Sequence, residues 1–112
     1  MTQPAQQVAL VLTTFGVGQA MVVARALVEE RLAACVNVLP AMTSVYQWKG
    51  AVHQEAEEQV VIKTSTDRLA ALESRLRQLH SYELPEFLVI TADAGSEAYL
   101  KWVGLSTHSA QA

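Results

Sequence analysis

The chain has 112 residues, a formal net charge of −3, 51% hydrophobic residues and only 17% charged residues. This length predicts one domain over residues 1–112, with a core that needs no metal or disulfide to stabilise it. The few basic residues are scattered, which argues against nucleic acid as a partner. No apolar run approaches the roughly 20 residues that cross a bilayer, and the first residues lack a signal-peptide pattern. We therefore expect a soluble cytoplasmic protein without membrane contact.

The surplus of apolar residues predicts that part of the surface is buried between subunits. Cys35 is the only cysteine, which excludes an intramolecular disulfide. Its thiol is either a soft copper ligand or, as its apolar neighbours favour, a small buried hydrophobe. His53 and His108 have no carboxylate and histidine cluster near them in the sequence, so we expect them to be solvated and not metal-bound.

The first predicted elements are a strand, a glycine turn and an amphipathic helix. Residues 8–14 are rich in β-branched side chains, and residues 15–18 contain two glycines that permit a tight turn. This loop lacks the lysine of a phosphate-binding loop and the third glycine of a dinucleotide-binding loop. Apolar residues then recur at three- and four-residue spacing, which predicts a helix over residues 19–34.

A long hairpin is predicted next. Residues 35–39 and 43–48 favour one strand that bends at Pro40. Lys49-Gly50 is typical of a tight connection to a second strand over residues 51–63. The outer part of this hairpin is expected to project beyond a small core, so that Trp48 contacts another subunit.

The second half predicts a helix, a strand and a final helix. Ser65, Thr66 and Asp67 are favourable N-cap residues, and four leucines follow at helical spacing up to Leu79. A strand is predicted over residues 87–91 and a helix over residues 96–105. The segments 1–7 and 106–112 are expected to be frayed tails.

This order predicts an α+β fold, a ferredoxin-like sandwich of the type βαββαβ with an added C-terminal helix. Both main helices would cover one face of a four-stranded antiparallel sheet. A parallel α/β sheet is the weaker alternative, because the hairpin at Lys49-Gly50 pairs two consecutive strands directly.

Polar chemistry concentrates in the turn of residues 80–86. His80, Glu83 and Glu86 follow at intervals of three and offer the nitrogen and oxygen ligands that divalent metals accept. Pro85 prevents them from aligning on one continuous helix, so the spacing permits a metal site without specifying one. In the alternative interpretation His80 caps the preceding helix and Glu86 simply begins a strand.

Tyr46, Trp48 and Tyr82 are open to two interpretations, as walls of a ligand pocket or as core and interface residues. No serine lies in a nucleophile elbow, and Cys35 has no evident activating neighbour. Nucleophilic catalysis is therefore not supported.

Five segments in this order resemble the CutA divalent-cation-tolerance family, and the resemblance extends from residue 8 to about residue 105. The segments are RLAACVN at 31–37, SVYQWKG at 44–50, EE at 57–58, IKT at 62–64 and HSYELPE at 80–86. The resemblance implies a cytoplasmic homotrimer in which hairpin arms join the sheets of neighbouring subunits. It also implies a link to tolerance of copper and other divalent cations, and no enzymatic activity.

The resemblance implies two functions. In the first, His80 holds a weakly bound copper or other divalent cation in a site that Glu83 or, alternatively, Glu86 completes, and no organic cofactor is expected. In the second, the protein is a small-ligand sensor or protein-interaction trimer, because the family architecture resembles PII signalling trimers that bind effectors between subunits. Lys63, Tyr82 and Glu86 would then line the cleft between subunits.

Two positions depart from family members that have additional metal ligands. Thr13 stands where some members have a cysteine, and Leu79 stands where some have a second histidine. A hydroxyl and an isobutyl group cannot replace a thiolate and an imidazole as copper ligands. We therefore do not expect tight copper binding.

Overall fold

The computed structural model describes residues 7–108, which form a four-stranded sheet in the order β2-β3-β1-β4. All neighbouring strands are antiparallel. The strands are β1 (Val8–Gly16), β2 (Cys35–Trp48), β3 (Ala51–Ser65) and β4 (Leu88–Thr91), and the helices are α1 (Ala20–Glu29), α2 (Leu69–Leu79) and α3 (Glu97–Ser106). None of these described helices is long and apolar enough to cross a membrane. The topology confirms the predicted ferredoxin-like sandwich.

The main core lies between one face of the sheet and helices α1 and α2. Because side chains alternate along a strand, Val11 and Phe15 of β1 lie on the same face as Ile62 of β3. These side chains pack with Leu72 and Leu76 of α2 in one buried cluster. Each such side chain contributes about 1.5–3 kcal/mol when fully buried, and the predicted leucine stripe of α2 is confirmed.

Helix α1 ends earlier than the predicted end at Ala34. The chain leaves the helix after Glu29, and Arg31 adopts a left-handed φ of 59°. The N–H group of Leu32 then donates to the carbonyl of Leu27 at 2.9 Å. Leu32 and Ala34 are buried all the same, so the apolar pattern that extended the predicted helix belongs to the turn that leads into β2.

Strands β2 and β3 form the long hairpin that the sequence predicts. Their register shifts between Val38 and Ala41, which confirms the expected irregularity at Pro40. Lys49 and Gly50 make the connecting turn with φ values of 51° and 81°. A left-handed turn of this kind matches the twist of the two strands.

The outer part of the hairpin extends beyond the rest of the sheet. Strand β1 pairs with β3 only from Glu57 to Ser65, so residues 51–56 pair with β2 alone. Val45 and Val52, on this part, are 65% and 67% exposed. The predicted projection of the hairpin is therefore confirmed.

The segment before α2 differs from the prediction. A 3-10 turn, Thr66–Arg68, precedes the helix, and no side-chain hydrogen bond caps either of the two. Ser65 Oγ instead hydrogen-bonds Thr107 Oγ1 at 2.7 Å, and Asp67 pairs with His108. The predicted helix start is confirmed, but the predicted capping role of these side chains is wrong.

Parts of the predicted tails are held in place. The N–H group of Gln7 donates to Thr66 Oγ1 at 3.1 Å, and its carbonyl accepts from the N–H group of Thr66 at 2.7 Å. Thr107 is buried. Gln7 and residues 106–108 therefore differ from the fraying expected of them, while residues 1–6 and 109–112 lie outside the described residues.

Strand β4 forms one edge of the sheet and exposes apolar side chains. Leu88 and Ile90 are 57% and 50% exposed. They pair with Leu12 and Leu10 of β1, on the face opposite the main core. Leu88 and Ile90 therefore form an exposed apolar edge beside Leu10 and Leu12.

Candidate functional site

His80 is fixed at the end of α2 by two hydrogen bonds from its ring. Nε2 lies 2.7 Å from the carbonyl oxygen of Thr14, and Nδ1 lies 3.2 Å from the backbone nitrogen of Tyr82. A carbonyl can only accept, so Nε2–H donates to Thr14 and Nδ1 accepts from the Tyr82 N–H group. The ring is therefore the neutral Nε2–H tautomer, and neither nitrogen has a free lone pair for a metal.

The surroundings of His80 keep its ring neutral. The ring stacks on Phe15 with centroids 4.2 Å apart and packs against Tyr82 at 4.6 Å. Burial lowers the pKa of His80, although the Thr14 carbonyl and the Glu57 charge oppose this. The predicted helix-capping role is wrong for the imidazole, because it binds a carbonyl of β1 and not one of α2.

Glu57 is a buried carboxylate that the sequence interpretation missed. It is 7% exposed, and Oε2 accepts a hydrogen bond of 2.7 Å from the hydroxyl of Tyr82. Burial, followed by this hydrogen bond, raises the pKa of Tyr82, so the hydroxyl stays protonated. Among residues 7–108, no lysine, arginine or histidine forms an ion pair with Glu57.

The same pairing of a tyrosine with a glutamate recurs further out on the hairpin. The hydroxyl of Tyr46 donates to Glu55 Oε1 at 2.8 Å, and this hydrogen bond is the main cause that raises the pKa of Tyr46. Glu55 and Glu57 are two residues apart on β3, so they lie on one face of the ribbon. The sequence interpretation did not use strand alternation, which is the signal that would have placed this pair on one face.

The hairpin and the turn of residues 82–86 enclose a groove of about 840 Å³. Its walls carry four carboxylates and three aromatic rings, and none of the described residues that line it is basic. We call it the acidic groove, after its defining residues Glu55, Glu57, Glu83, Glu86, Tyr46, Trp48 and Tyr82. Tyr46, Trp48 and Tyr82 line this groove, and the interface interpretation of these residues stays a prediction.

Lys49 lies at the mouth of the acidic groove. Its Nζ is 5.6 Å from the centroid of the Trp48 ring and 3.7 Å from Glu83 Oε1. The ammonium group is therefore held between an aromatic face and a carboxylate, a combination that stabilises an organic cation. This contact also joins the tip of the hairpin to the turn.

A smaller pocket of about 260 Å³ lies on the other side of the same turn, against α2. Thr13 lines it together with Glu73, Arg77, and residues 82–87. Thr13 is fully buried, and its hydroxyl has no hydrogen-bond partner among the described residues. A polar group buried without a partner costs free energy, so this hydroxyl weakens the fold.

The predicted ligand residues are only partly brought together. Tyr82, Glu83 and Glu86 line the acidic groove, and His80 lies behind its wall. Lys63 lies six residues beyond Glu57 on β3, which is about 20 Å at roughly 3.4 Å per residue. Within the described part of the chain, no group of three or more histidine, cysteine, aspartate and glutamate residues is arranged to hold a metal.

Comparison with known proteins identifies relatives over most of the chain. The family model described as CutA1 divalent ion tolerance protein matches residues 9–106. The divalent-cation tolerance protein CutA of Thermus thermophilus is 42% identical over 88 residues, which are 79% of this chain and 85% of that protein. A protein CutA homolog of Xenopus laevis is 45% identical over 82 residues, or 73% of this chain. The match spans only about half, 54%, of the frog protein.

The fold has close counterparts among solved structures. The structure described as PII-like protein CutA from Nostoc, in apo form, superimposes with a TM-score of 0.85 and 41% sequence identity. The superposition covers 89% of this chain and 97% of the Nostoc chain.

Proposed function

Because the chain belongs to the CutA1 divalent ion tolerance protein family, we propose that it acts in divalent-cation tolerance as a non-enzymatic, cytoplasmic homotrimer. The match of the family model over residues 9–106 carries this proposal. The carboxylates of the acidic groove support it as oxygen donors, although Lys49 at the mouth of the groove pairs with one of them, Glu83.

The surface of β4 supports the oligomer. An exposed apolar edge strand is an aggregation hazard unless another chain covers it. Leu88 and Ile90 lie on such an edge, beside Leu10 and Leu12. Burying them between copies of the chain removes the hazard, and a closed ring of three copies leaves no edge free.

For the metal, we propose a weak divalent-cation site in which Glu83 is the first ligand and His80 the second. Glu83 is exposed, and among residues 7–108 its one ion-pair partner is Lys49, at 3.7 Å. His80 can coordinate only after the hydrogen bond from the Tyr82 N–H group to Nδ1 opens. The lost hydrogen bond offsets part of the free energy of coordination, which supports weak binding and not tight binding.

Calorimetric titration of the native chain with Cu²⁺ and with Zn²⁺ tests this site. We expect Glu83→Gln and His80→Ala each to weaken binding several-fold. Glu97→Gln, which removes a carboxylate at the start of α3, should bind like the native chain. Equal affinities in all four proteins would contradict the metal site.

The second candidate function is a small-ligand sensor, and the size and lining of the acidic groove favour it. A volume of about 840 Å³ is that of a cofactor or metabolite site, far larger than a metal ion needs. Tyr82 and Glu86 line this groove within one chain, which supports their part in a ligand site, while the cleft between subunits stays a prediction. Lys63 lies too far away in the same chain, so in this function it would act from another subunit.

A further inference from the structure

The walls of the acidic groove combine two kinds of group that act on the same ligand. Carboxylates attract any cation, but the faces of Tyr46, Trp48 and Tyr82 attract only cations that can lose water and lie against a ring. Small divalent ions keep their water or take oxygen and nitrogen ligands, so these rings offer them nothing. The mixture is suited to an organic cation.

Lys49 is an example, within the chain itself, of an organic cation that lies against both an aromatic ring and a carboxylate. Its primary ammonium lies over the Trp48 ring at 5.6 Å and 3.7 Å from Glu83, both of which line the groove. Glu83 and Lys49 are largely exposed, and an exposed pair contributes little to stability. This ammonium can therefore leave at small cost, and an incoming ammonium finds the same partners.

Glu57 supplies a second, independent observation. Glu57 is 7% exposed and therefore 93% buried. Among the described residues, its carboxylate accepts one hydrogen bond, from the Tyr82 hydroxyl. A buried carboxylate without a cationic partner is unfavourable. It lines the groove, so a cation in the groove would provide the missing charge and a second hydrogen bond.

We propose that the acidic groove binds a small molecule through a primary alkylammonium group, with Glu57 as the buried counter-charge and the tyrosine and tryptophan rings around the alkyl chain. Lys49 occupies part of the same site and competes with the ligand. The proposal rests on the groove being the ligand site of this protein, as in the proposed function, and it names the class of ligand.

The first test is calorimetric titration with butylammonium and putrescine, with 1-butanol as the neutral analogue. Both amines should bind, and 1-butanol should not. Glu57→Gln keeps an oxygen acceptor for Tyr82 but removes the charge, and it should weaken amine binding by about tenfold or more. Glu97→Gln is the control and should leave amine binding unchanged. Equal binding of butylammonium and 1-butanol, or no effect of Glu57→Gln, would overturn the proposal.

The second test removes the competing group. Lys49→Gln keeps most of the length of the side chain but removes its charge, and it should tighten amine binding several-fold. Lys101→Gln removes a positive charge from α3, outside the groove, and should have no such effect. Unchanged or weaker amine binding by Lys49→Gln would contradict a shared site.

Two parallel measurements separate this inference from the proposed function. Light scattering gives the oligomeric state of the same samples, and titration with Zn²⁺ gives metal binding. Trimers that bind Zn²⁺ but no amine would overturn only the ligand class proposed here. Amine binding by a chain that is monomeric and binds no metal would overturn the trimeric metal-tolerance function and support the proposed amine site.

Discussion

Two fully buried threonines of the sheet differ in whether the side-chain hydroxyl has a hydrogen-bond partner. The hydroxyl of Thr64 donates to the carbonyl of Leu32 at 2.8 Å. The hydroxyl of Thr13 lacks any partner among the described residues. They lie on neighbouring strands and face the same side of the sheet, where Thr13 is opposite Val60 and Thr64 is opposite Ala9. This makes them a matched pair for measuring what one hydrogen bond contributes.

We expect Thr13→Val to raise the free energy of unfolding by about 1 kcal/mol, because it replaces an unpaired hydroxyl with a methyl group of the same shape. Thr64→Val should lower it by about 1–3 kcal/mol, because it leaves the Leu32 carbonyl buried without its donor. Urea unfolding at one fixed protein concentration measures both. A similar loss in both variants would contradict the assignment of Thr13 as unpaired.

At the scale of elements, the fold shifts the pKa values of two histidines in opposite directions. His80 joins the end of α2 to β1, and burial lowers its pKa in the folded state. His108 follows α3 and bonds both the Gly104 carbonyl and Asp67, and these two contacts raise its pKa. Burial therefore favours the neutral ring of His80, whereas the contacts with Gly104 and Asp67 favour the protonated ring of His108.

The sign of each effect follows from the direction of the shift. The folded pKa of His80 is below its unfolded value of about 6.5, so its stabilisation is complete above that value and is lost as pH falls through the folded pKa. The folded pKa of His108 is above that value. Its stabilisation is complete below about pH 6.5 and is lost as pH rises through the folded pKa.

Unfolding of His80→Phe and His108→Gln at pH 5 and pH 8.5 measures these effects. His80→Phe keeps the stacking on Phe15, and its loss of stability should be larger at pH 8.5 than at pH 5. His108→Gln should show the reverse, with the larger loss at pH 5. Two variants with the same pH dependence would contradict the opposite shifts.

The elements were predictable where local spacing decides them, and the site was not. The leucines of α2 and the turn at Lys49-Gly50 carry their own signals, so the helix and the hairpin were found from the sequence. The end of α1 was misplaced, because Leu32 and Ala34 continue the apolar pattern after the backbone has turned.

The candidate site depends on contacts between residues far apart in the chain. Tyr82 and Glu57 are 25 positions apart, and His80 and Thr14 are 66 apart. No local pattern encodes these pairs. The turn of residues 80–86 was recognised as the place where polar groups gather, but which groups face the groove was decided by the fold.

At the scale of the whole molecule, we propose that copies of the chain assemble through the exposed edge strand β4. The double variant Leu88→Lys with Ile90→Lys places two charges on the exposed edge strand, so we expect the trimer to dissociate. Val22→Lys, on the outer side of α1 and 74% exposed, should leave the mass unchanged. Light scattering over a range of concentrations distinguishes these outcomes, and a trimeric double variant would rule out this surface as the interface.

The outer hairpin is a ribbon of only two strands, because β1 stops pairing at Glu57. In a free subunit its amide hydrogens would exchange with solvent independently of the four-stranded part, since no third strand shields them. Deuterium uptake at residues 43–56 would therefore report directly on whether another molecule covers the ribbon.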